Sequence, residues 1–231
     1  NPIKPFDIYA YDMAQMEASE SGNIDVLGFH GSTDAPTVDI TETDMPTKLE
    51  DNLGYGDFSD GYISLDIDDY SLQVQDSTSR VPVAQFGALL DTWGLEDSAL
   101  VVLASGFLDP TENSHGAPFG LYASLPSGGE LVELPAEDFS TAKVQIIHNS
   151  ADLNADTVDV WLNNELLVDN FAFRNATPFV EMVAGPIFDI AVQPKTSTDT
   201  VDALFRDMGM VGADKNYVVV ANGIISSSGY D

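Results

Sequence analysis

An internal repeat constrains the fold of this chain more than any other feature of its sequence. The segment VLGFHGSTDAPTVDI at 26–40 matches VQIIHNSADLNADTVDV at 144–160, with a two-residue insertion in the second copy. Further matched blocks follow in the same order, about 118 residues apart: LEDNLGY with LVDNFAF, YSLQVQ with FDIAVQ, and LVVLASGFL with VVVANGII. Chance does not keep one spacing through successive blocks, so we expect two structural units of the same design.

Each copy consists of short β-rich runs, such as VDVWLNN and NYVVVANG, separated by Gly, Asp, Asn and Pro. No stretch keeps a helical period over three turns. Roughly seven strands in about 100 residues are typical of an immunoglobulin-like sandwich. We therefore predict an all-β chain of two tandem immunoglobulin-like antiparallel β-sandwiches plus an N-terminal donor strand. The predicted boundaries are 1–13 for the donor strand, 14–23 for a linker, 24–134 for domain 1, 135–142 for a second linker and 143–231 for domain 2.

The repeated motifs carry a family resemblance. HGSTDAPTVDI at 30–40, the strings DNLGY and DNFAF, and the strands DDYSLQV and AGPIFDIAV resemble a family of secreted bacterial and archaeal domains, domain of unknown function family 4397. The resemblance covers nearly the whole chain as two copies, although ADLNAD replaces the Pro-containing turn in the second. It implies an extracellular β-sandwich and no particular chemistry. The repeat-signature residues, expected to be structural, are His30, Ser32, Asp34, Asp39, His148, Ser150, Asp152 and Asp159.

The last strand of the second copy is found at the other end of the chain. The first copy closes with the alternating segment PFGLYASLP at 118–126, whereas the second reaches ANGII and ends without a counterpart. The segment PFDIYAYDM at 5–13 matches that closing strand and alternates in the same way. We expect it to fill the incomplete domain 2 of another copy, with these interface residues: Pro5, Phe6, Ile8, Tyr9, Ala10 and Met13.

This pattern predicts a structural subunit of an extracellular, pilus-like filament assembled by donor-strand complementation, a form of β-augmentation. The predicted partner is a second copy of the chain. A head-to-tail contact between copies generates a fibre when it does not close. A ring, a swapped dimer or part of a longer tandem array remain open. The alternative function is a cell-surface adhesin or a glycan- or protein-binding module.

The charge excludes several classes of partner. Thirty-eight acidic residues against eight basic ones give a formal net charge of −30. Such a surface repels nucleic acid and anionic membranes, and no apolar run approaches the roughly 20 residues of a membrane helix. An acidic surface keeps a protein soluble in high salt, where its self-repulsion is screened, and this suits a saline extracellular setting. The absence of Cys excludes disulfides and thiolate metal sites.

Candidate sites for chemistry are few. Asp152, Asn154 and Asp156 have the Asp-x-Asn-x-Asp spacing that opens calcium loops, but the Gly and distal Glu of the full motif are missing. A calcium site and a solvated acidic turn both fit this spacing, and no other cofactor is indicated. His30 and His148 recur at equivalent positions, which favours a structural role over a catalytic one. No Gly-x-Ser-x-Gly elbow or phosphate-binding loop occurs, so the sequence indicates that the protein is not an enzyme.

Overall fold

The computed structural model describes residues 4–44, 47–185, 188–226 and 228–229. In these residues the regular structure is β-strand apart from one short 3₁₀ turn, which confirms the all-β prediction. The chain divides into two compact units. Unit 1 comprises Asn1–Glu42 with Thr47–Asp138, and unit 2 comprises Thr43–Pro46 with Phe139–Asp231. None of the described residues belongs to a helix long and apolar enough to cross a membrane.

The described residues of unit 1 form ten strands in two sheets. They are β1 Asn23–His30, β2 Val38–Glu42, β3 Thr47–Leu53, β4 Ile63–Asp66, β5 Asp69–Asp76, β6 Pro82–Leu89, β7 Ala99–Ser105, β8 Gly120–Ser124, β9 Val132–Glu133 and β10 Ala136–Glu137. One sheet has the order β4-β1-β7-β8-β9 and the other β10-β6-β5-β2-β3. Buried side chains from both sheets form one core, as in a sandwich.

Unit 2 contains seven strands among its described residues, again in two sheets. They are β11 Thr141–His148, β12 Thr157–Leu162, β13 Glu165–Ala172, β14 Val180–Val183, β15 Phe188–Pro194, β16 Phe205–Gly209 and β17 Asn216–Ala221, with the 3₁₀ turn at Leu153–Ala155. The sheet orders are β14-β11-β17 and β13-β12-β15-β16. Its core likewise draws on both sheets.

The two units pair their strands in the same order. The sequence β4-β1-β7 in unit 1 corresponds to β14-β11-β17 in unit 2, and β6-β5-β2-β3 corresponds to β16-β15-β12-β13. One detail departs from the antiparallel sandwich that the sequence predicts. The pairs β1/β7 and β11/β17 are parallel, so one sheet of each unit is mixed. Parallel neighbours need a long crossover connection, and here the strands of the opposite sheet lie within that connection.

The predicted donor segment does not form a strand within this chain. Its residues 1–3 lie outside the described residues, and residues 5–13 join none of the sheets that the described residues form. Alternation alone does not make a strand, because a strand needs a neighbouring edge for its main-chain hydrogen bonds. The alternation is nevertheless visible in the side chains. Phe6 and Ile8 are 94% and 81% exposed, whereas Tyr9 and Tyr11 contact aromatic rings of unit 1.

Candidate interaction site

Strand β8 covers the edge of β7 in the first sheet of unit 1, and β9 pairs with the other edge of β8. The two strands pair antiparallel over five residue pairs, from Val101 opposite Ser124 to Ser105 opposite Gly120. Leu121 and Ala123 point into the core from β8 and are 2% and 0% exposed. Full burial of a leucine side chain contributes about 1.5–3 kcal/mol, so β8 supplies stability to the core as well as hydrogen bonds to the sheet.

The loop before β8 is also tied to the strand that it follows. The Phe107 N–H donates to the Ala117 carbonyl at 2.9 Å, and the Phe119 N–H donates to the Phe107 carbonyl at 2.9 Å. These bonds extend the pairing beyond the end of β7. The residues after β7 therefore take part in positioning the closing strand.

Strand β17 is the counterpart of β7. Strand β1 pairs in parallel with β7 from Asp25 opposite Ala99 onward, and β11 pairs in parallel with β17 from Lys143 opposite Asn216 onward. Each ladder contains six residue pairs. The shared register makes Ala99 equivalent to Asn216, and it makes 101–103 equivalent to 218–220.

The outer edge of β17 is unpaired in the part of the chain that the structure describes. Among the described residues this strand pairs with β11 alone. Val218, Val219 and Val220 are 56%, 39% and 50% exposed, whereas their counterparts in β7 are only partly exposed. A free edge carrying β-branched apolar side chains is a template for pairing with another strand. Unit 2 therefore presents, at this edge, the surface that β8 covers in unit 1.

Apolar exposure continues around the free edge of unit 2. Ile224 and Ile225 follow β17 at the positions of Phe107 and Leu108, and they are 53% and 43% exposed. Strand β16 exposes Phe205 and Met208 at 52% and 60%, whereas its counterpart β6 is paired with β10. An exposed apolar surface of this kind marks an interaction site.

The N-terminal segment carries the side chains of β8 in an exposed position. Aligning PFDIYA with PFGLYA places Phe6, Ile8 and Ala10 at the positions of Phe119, Leu121 and Ala123. In β8 two of these positions are fully buried, and in the N-terminal segment all three are exposed. The other predicted interface residues, Pro5, Tyr9 and Met13, are exposed as well, Tyr9 at 40% and Met13 at 65%.

The repeat-signature histidines connect strand ends to the following turns. His30 and His148 are each 1% exposed. Nε2 of His30 lies 2.8 Å from the Pro36 carbonyl oxygen, and Nε2 of His148 lies 2.7 Å from that of Ala155. A carbonyl oxygen only accepts, so Nε2 carries the proton in both rings. Burial lowers the pKa of His30, which keeps this ring neutral.

The signature serines and the first aspartates hold the loops that follow β7 and β17. Ser32 donates to the Gly106 carbonyl at 2.8 Å, and Ser150 donates to the Gly223 carbonyl at 2.7 Å. Asp34 accepts the N–H groups of residues 108 and 109 at 2.9 and 3.0 Å. Asp152 accepts those of residues 225 and 226 at 2.8 and 2.7 Å. The same arrangement of hydrogen bonds therefore anchors the loop after β7 in unit 1 and the loop after β17 in unit 2.

These hydrogen bonds set the charge state of the two carboxyls. Burial by itself would raise the pKa of Asp34, but the N–H donors of Asp109 and Leu108 outweigh it and lower the pKa. For Asp152 burial is outweighed by the hydroxyl and N–H of Ser226 and by the N–H of Asn154, and the pKa falls far below its usual range. Both groups are therefore ionised at neutral pH.

The second pair of signature aspartates explains the repeated Asp-Asn dipeptides. Asp39 accepts the N–H of Asn52 at 2.9 Å, and Asp159 accepts that of Asn170 at 2.8 Å. Both asparagines have positive φ, 57° and 53°. Each lies opposite a register shift in the neighbouring strand, at Val38/Ile40 and at Val158/Val160. Asn tolerates the left-handed conformation, so Asp-Asn builds a β-bulge in both units.

The predicted calcium ligands are used differently. Asp152 is the N-cap of the 3₁₀ turn and accepts the Asn154 N–H at 2.9 Å, in addition to its bonds with residues 225 and 226. Asn154 and Asp156 are exposed. Within the described residues no group of three or more acidic or histidine side chains could hold a metal ion. The Asp-x-Asn-x-Asp spacing thus forms a capped turn, and the calcium prediction is not supported.

Sequence reasoning missed a carboxyl on the wall of an apolar cavity in unit 1. Glu50 lies among aliphatic side chains lining a cavity of about 70 Å³ between the two sheets. Burial, and then the charge of Asp60, raises the pKa of Glu50. The equivalent position in unit 2 is Val168, which packs against the core. Comparing the two copies at this position is the signal that identifies Glu50 as an inward-facing residue.

Comparison with known proteins supports the family resemblance in unit 2. Residues 142–229 match the family described as Domain of unknown function (DUF4397), which confirms the resemblance for this part of the chain. No curated protein matches the chain.

Proposed function

We propose that this chain, whose residues 142–229 belong to a family without an assigned function, is a structural subunit of an extracellular filament. Subunits join head to tail by donor-strand complementation. Residues 5–13 of one copy pair with the free edge of β17 in the next copy and fill the adjoining gap in its core. In this proposal unit 1 is a second domain of the same family, complete because it contains β8.

The observation that carries the proposal is the match between an exposed edge and an exposed strand sequence. Strand β17 occupies the position of β7, and its edge is free among the described residues. The segment 5–13 has the sequence pattern of β8, and its core-type side chains Phe6 and Ile8 are exposed. The segment 5–13 of one copy therefore matches the strand position beside β17 that is unoccupied, among the described residues, in another copy.

The pairing of β7 with β8 supplies the register for the interface. Transferred to the second copy, it places Tyr9 opposite Val220 and Ala10 opposite Val219. The bonds around Phe107 transfer as well, so the Phe6 N–H would donate to the Ile224 carbonyl. Ile8 and Ala10 then take the buried positions of Leu121 and Ala123.

The energetics favour association. Burying Phe6 and Ile8 contributes about 1.5–3 kcal/mol each, before the loss of translational freedom is subtracted. The main-chain groups of β17 would gain partners at the same time. Because donor and acceptor are different surfaces, the contact is heterologous and continues as a fibre unless its rotation closes a ring. The net charge of −30 suits a soluble extracellular subunit.

Intermolecular cross-linking tests the register directly, because the chain contains no Cys. Two single variants, Tyr9→Cys and Val220→Cys, are mixed and oxidised, and the covalent dimer is measured on non-reducing gels. Ala10→Cys with Val219→Cys samples the alternate type of antiparallel pair, whose Cα separation differs by about 1 Å. The matched control is Tyr9→Cys with Val218→Cys, which is displaced by two residues.

We expect dimers from at least one matched pair and few from the displaced pair. Negative-stain microscopy of the unmodified chain should show fibres. A monodisperse monomer at high concentration, with no cross-linking in either matched pair, would contradict the proposal.

A further inference from the structure

Four aromatic rings of unit 1 lie beneath the N-terminal segment. We call them the aromatic platform: Phe29, Tyr55, Phe58 and Tyr62. The centroid of the Tyr9 ring lies 5.5 and 6.1 Å from the first two rings. The centroid of the Tyr11 ring lies 5.4 and 6.2 Å from the other two. Aromatic pairs at these distances attract beyond the effect of burial alone, so the platform holds the segment through Tyr9 and Tyr11.

Both ends of the segment are also attached to the platform. Nζ of Lys4 lies 3.9 Å from the centre of the Tyr55 ring, a cation–π contact. The Gln15 N–H donates to the Tyr62 hydroxyl oxygen at 3.1 Å. Residues 4–15 are therefore fixed at each end and at two points between.

Unit 2 repeats the platform only in part, since Phe173 takes the position of Tyr55 but two other rings have aliphatic equivalents. Phe29 and Phe58 form an isolated bridge, and the equivalent bridge in unit 2 joins Ile147 and Ala176. Gly56, with φ of +85°, lies so close to the Tyr9 ring that a Cβ there would meet it at 2.7 Å. At the equivalent position, also with positive φ, unit 2 has Arg174, whose guanidinium lies over the Phe173 ring.

The docked segment keeps free the side chains that donation requires. Phe6 and Ile8 point away from the platform and are almost fully exposed. In β8 the equivalents of Tyr9 and Tyr11 are Tyr122 and Ser124, which are partly exposed. The platform thus uses the face of the segment that a sandwich leaves outside its core.

We propose that the aromatic platform presents the donor strand to a second copy of this chain and remains bound to it after assembly. The donor then pairs with β17 along one edge. The core of the acceptor covers one of its faces, and the platform of its own unit 1 covers the other. This inference rests on the proposed function and adds to it. Tyr9 and Tyr11 are positioning residues, and the platform fixes how one subunit follows the next.

The first test measures docking without assembly. In an Ile8→Asp background, where an acidic side chain blocks donation, endoproteinase Glu-C cleavage after Asp12 is timed with and without Tyr9→Ala/Tyr11→Ala. We expect cleavage to be about tenfold faster when the two tyrosines are absent, because about 1.4 kcal/mol of docking corresponds to a factor of ten. Phe6→Ala, which alters a residue pointing away from the platform, is the matched control and should leave the rate unchanged. Equal rates with and without the tyrosines would overturn the proposal.

The second test measures assembly by light scattering across a concentration series. With Ile8 intact, Tyr9→Ala/Tyr11→Ala should raise the critical concentration about tenfold or more, because a disordered donor must be ordered on binding. A lower critical concentration would overturn the proposal, since it would mean that the platform stores the strand and competes with donation. An unchanged value would also overturn it. Failure of the unmodified chain to assemble at all would instead refute the proposed function.

Discussion

Shortening one exposed side chain of the donor segment should weaken assembly without weakening the fold. Ile8 is 81% exposed in the free chain, and its counterpart Leu121 is 2% exposed in the core of unit 1. The change Ile8→Ala therefore removes almost nothing from the isolated chain. In the assembly it truncates a fully buried aliphatic residue, and such truncations cost about 2–5 kcal/mol.

The lower half of that range is appropriate here, because an open acceptor can relax around a smaller side chain. A loss of about 2–3 kcal/mol corresponds to roughly a 30- to 150-fold weaker association. Sedimentation velocity across a concentration series would measure this shift. Thermal unfolding of the dilute protein should show a melting temperature within about one degree of the unmodified chain.

Leu153→Ala is the matched control for this prediction. Leu153 lies in unit 2 and is also 81% exposed, so the two substitutions remove the same kind of surface from the free chain. It lies in the 3₁₀ turn and has no place in the proposed interface. If Ile8→Ala and Leu153→Ala change association equally, the effect comes from non-specific hydrophobic association, and the argument from β8 is wrong.

Two carboxyls should give unfolding profiles with opposite pH dependence. The depressed pKa of Asp152 means that its contribution to stability is present above the ordinary range near pH 4 and is lost as the pH falls through that range and below it. Asp152→Asn should lower the melting temperature of unit 2 at pH 7 and reduce its loss on acidification, whereas Asp156→Asn, at an exposed neighbour, should do neither. The raised pKa of Glu50 means that unit 1 is more stable with Glu50 protonated and loses that stability as the pH rises from about 4.5 through the folded-state value. Glu50→Gln should remove this slope, and Glu50→Leu should stabilise unit 1 by about 1 kcal/mol at pH 7, both measured by chemical denaturation.

The fold could be predicted from the sequence because the patterns that indicate it are local and occur in both copies. Period-two alternation and Gly, Asn and Asp turns indicate strands, and a second copy of each block distinguishes a structural residue from an incidental one. The two Asp-Asn dipeptides illustrate this, since both asparagines adopt positive φ at a bulge. The parallel pairing of β1 with β7 was not accessible, because alternation says nothing about the direction of a neighbouring strand.

The site was accessible only in part. The match of 5–13 to 118–126 points to the proposed donor and to β8 as the strand whose position it would take in unit 2. The aromatic platform was not predicted, because its rings come from positions 29 to 62, where no periodic pattern connects them. The calcium prediction gains no support from the structure, for a related reason. Spacing alone does not reveal that Asp152 is already engaged by N–H donors from residues more than 70 positions away.

The ionic strength of the medium should control how readily copies of this chain assemble. Each copy carries a formal charge of −30, so approaching copies repel one another, while the proposed contact itself is made by Phe6, Ile8 and Val218–Val220. Salt shortens the range of the repulsion from about 30 Å at 0.01 M to about 3 Å at 1 M and leaves apolar burial intact. The critical concentration for assembly should therefore fall steadily as NaCl is raised, and light scattering would record it. If salt dissolves the assemblies instead, attraction between opposite charges holds the copies together, and the interface lies elsewhere on the surface.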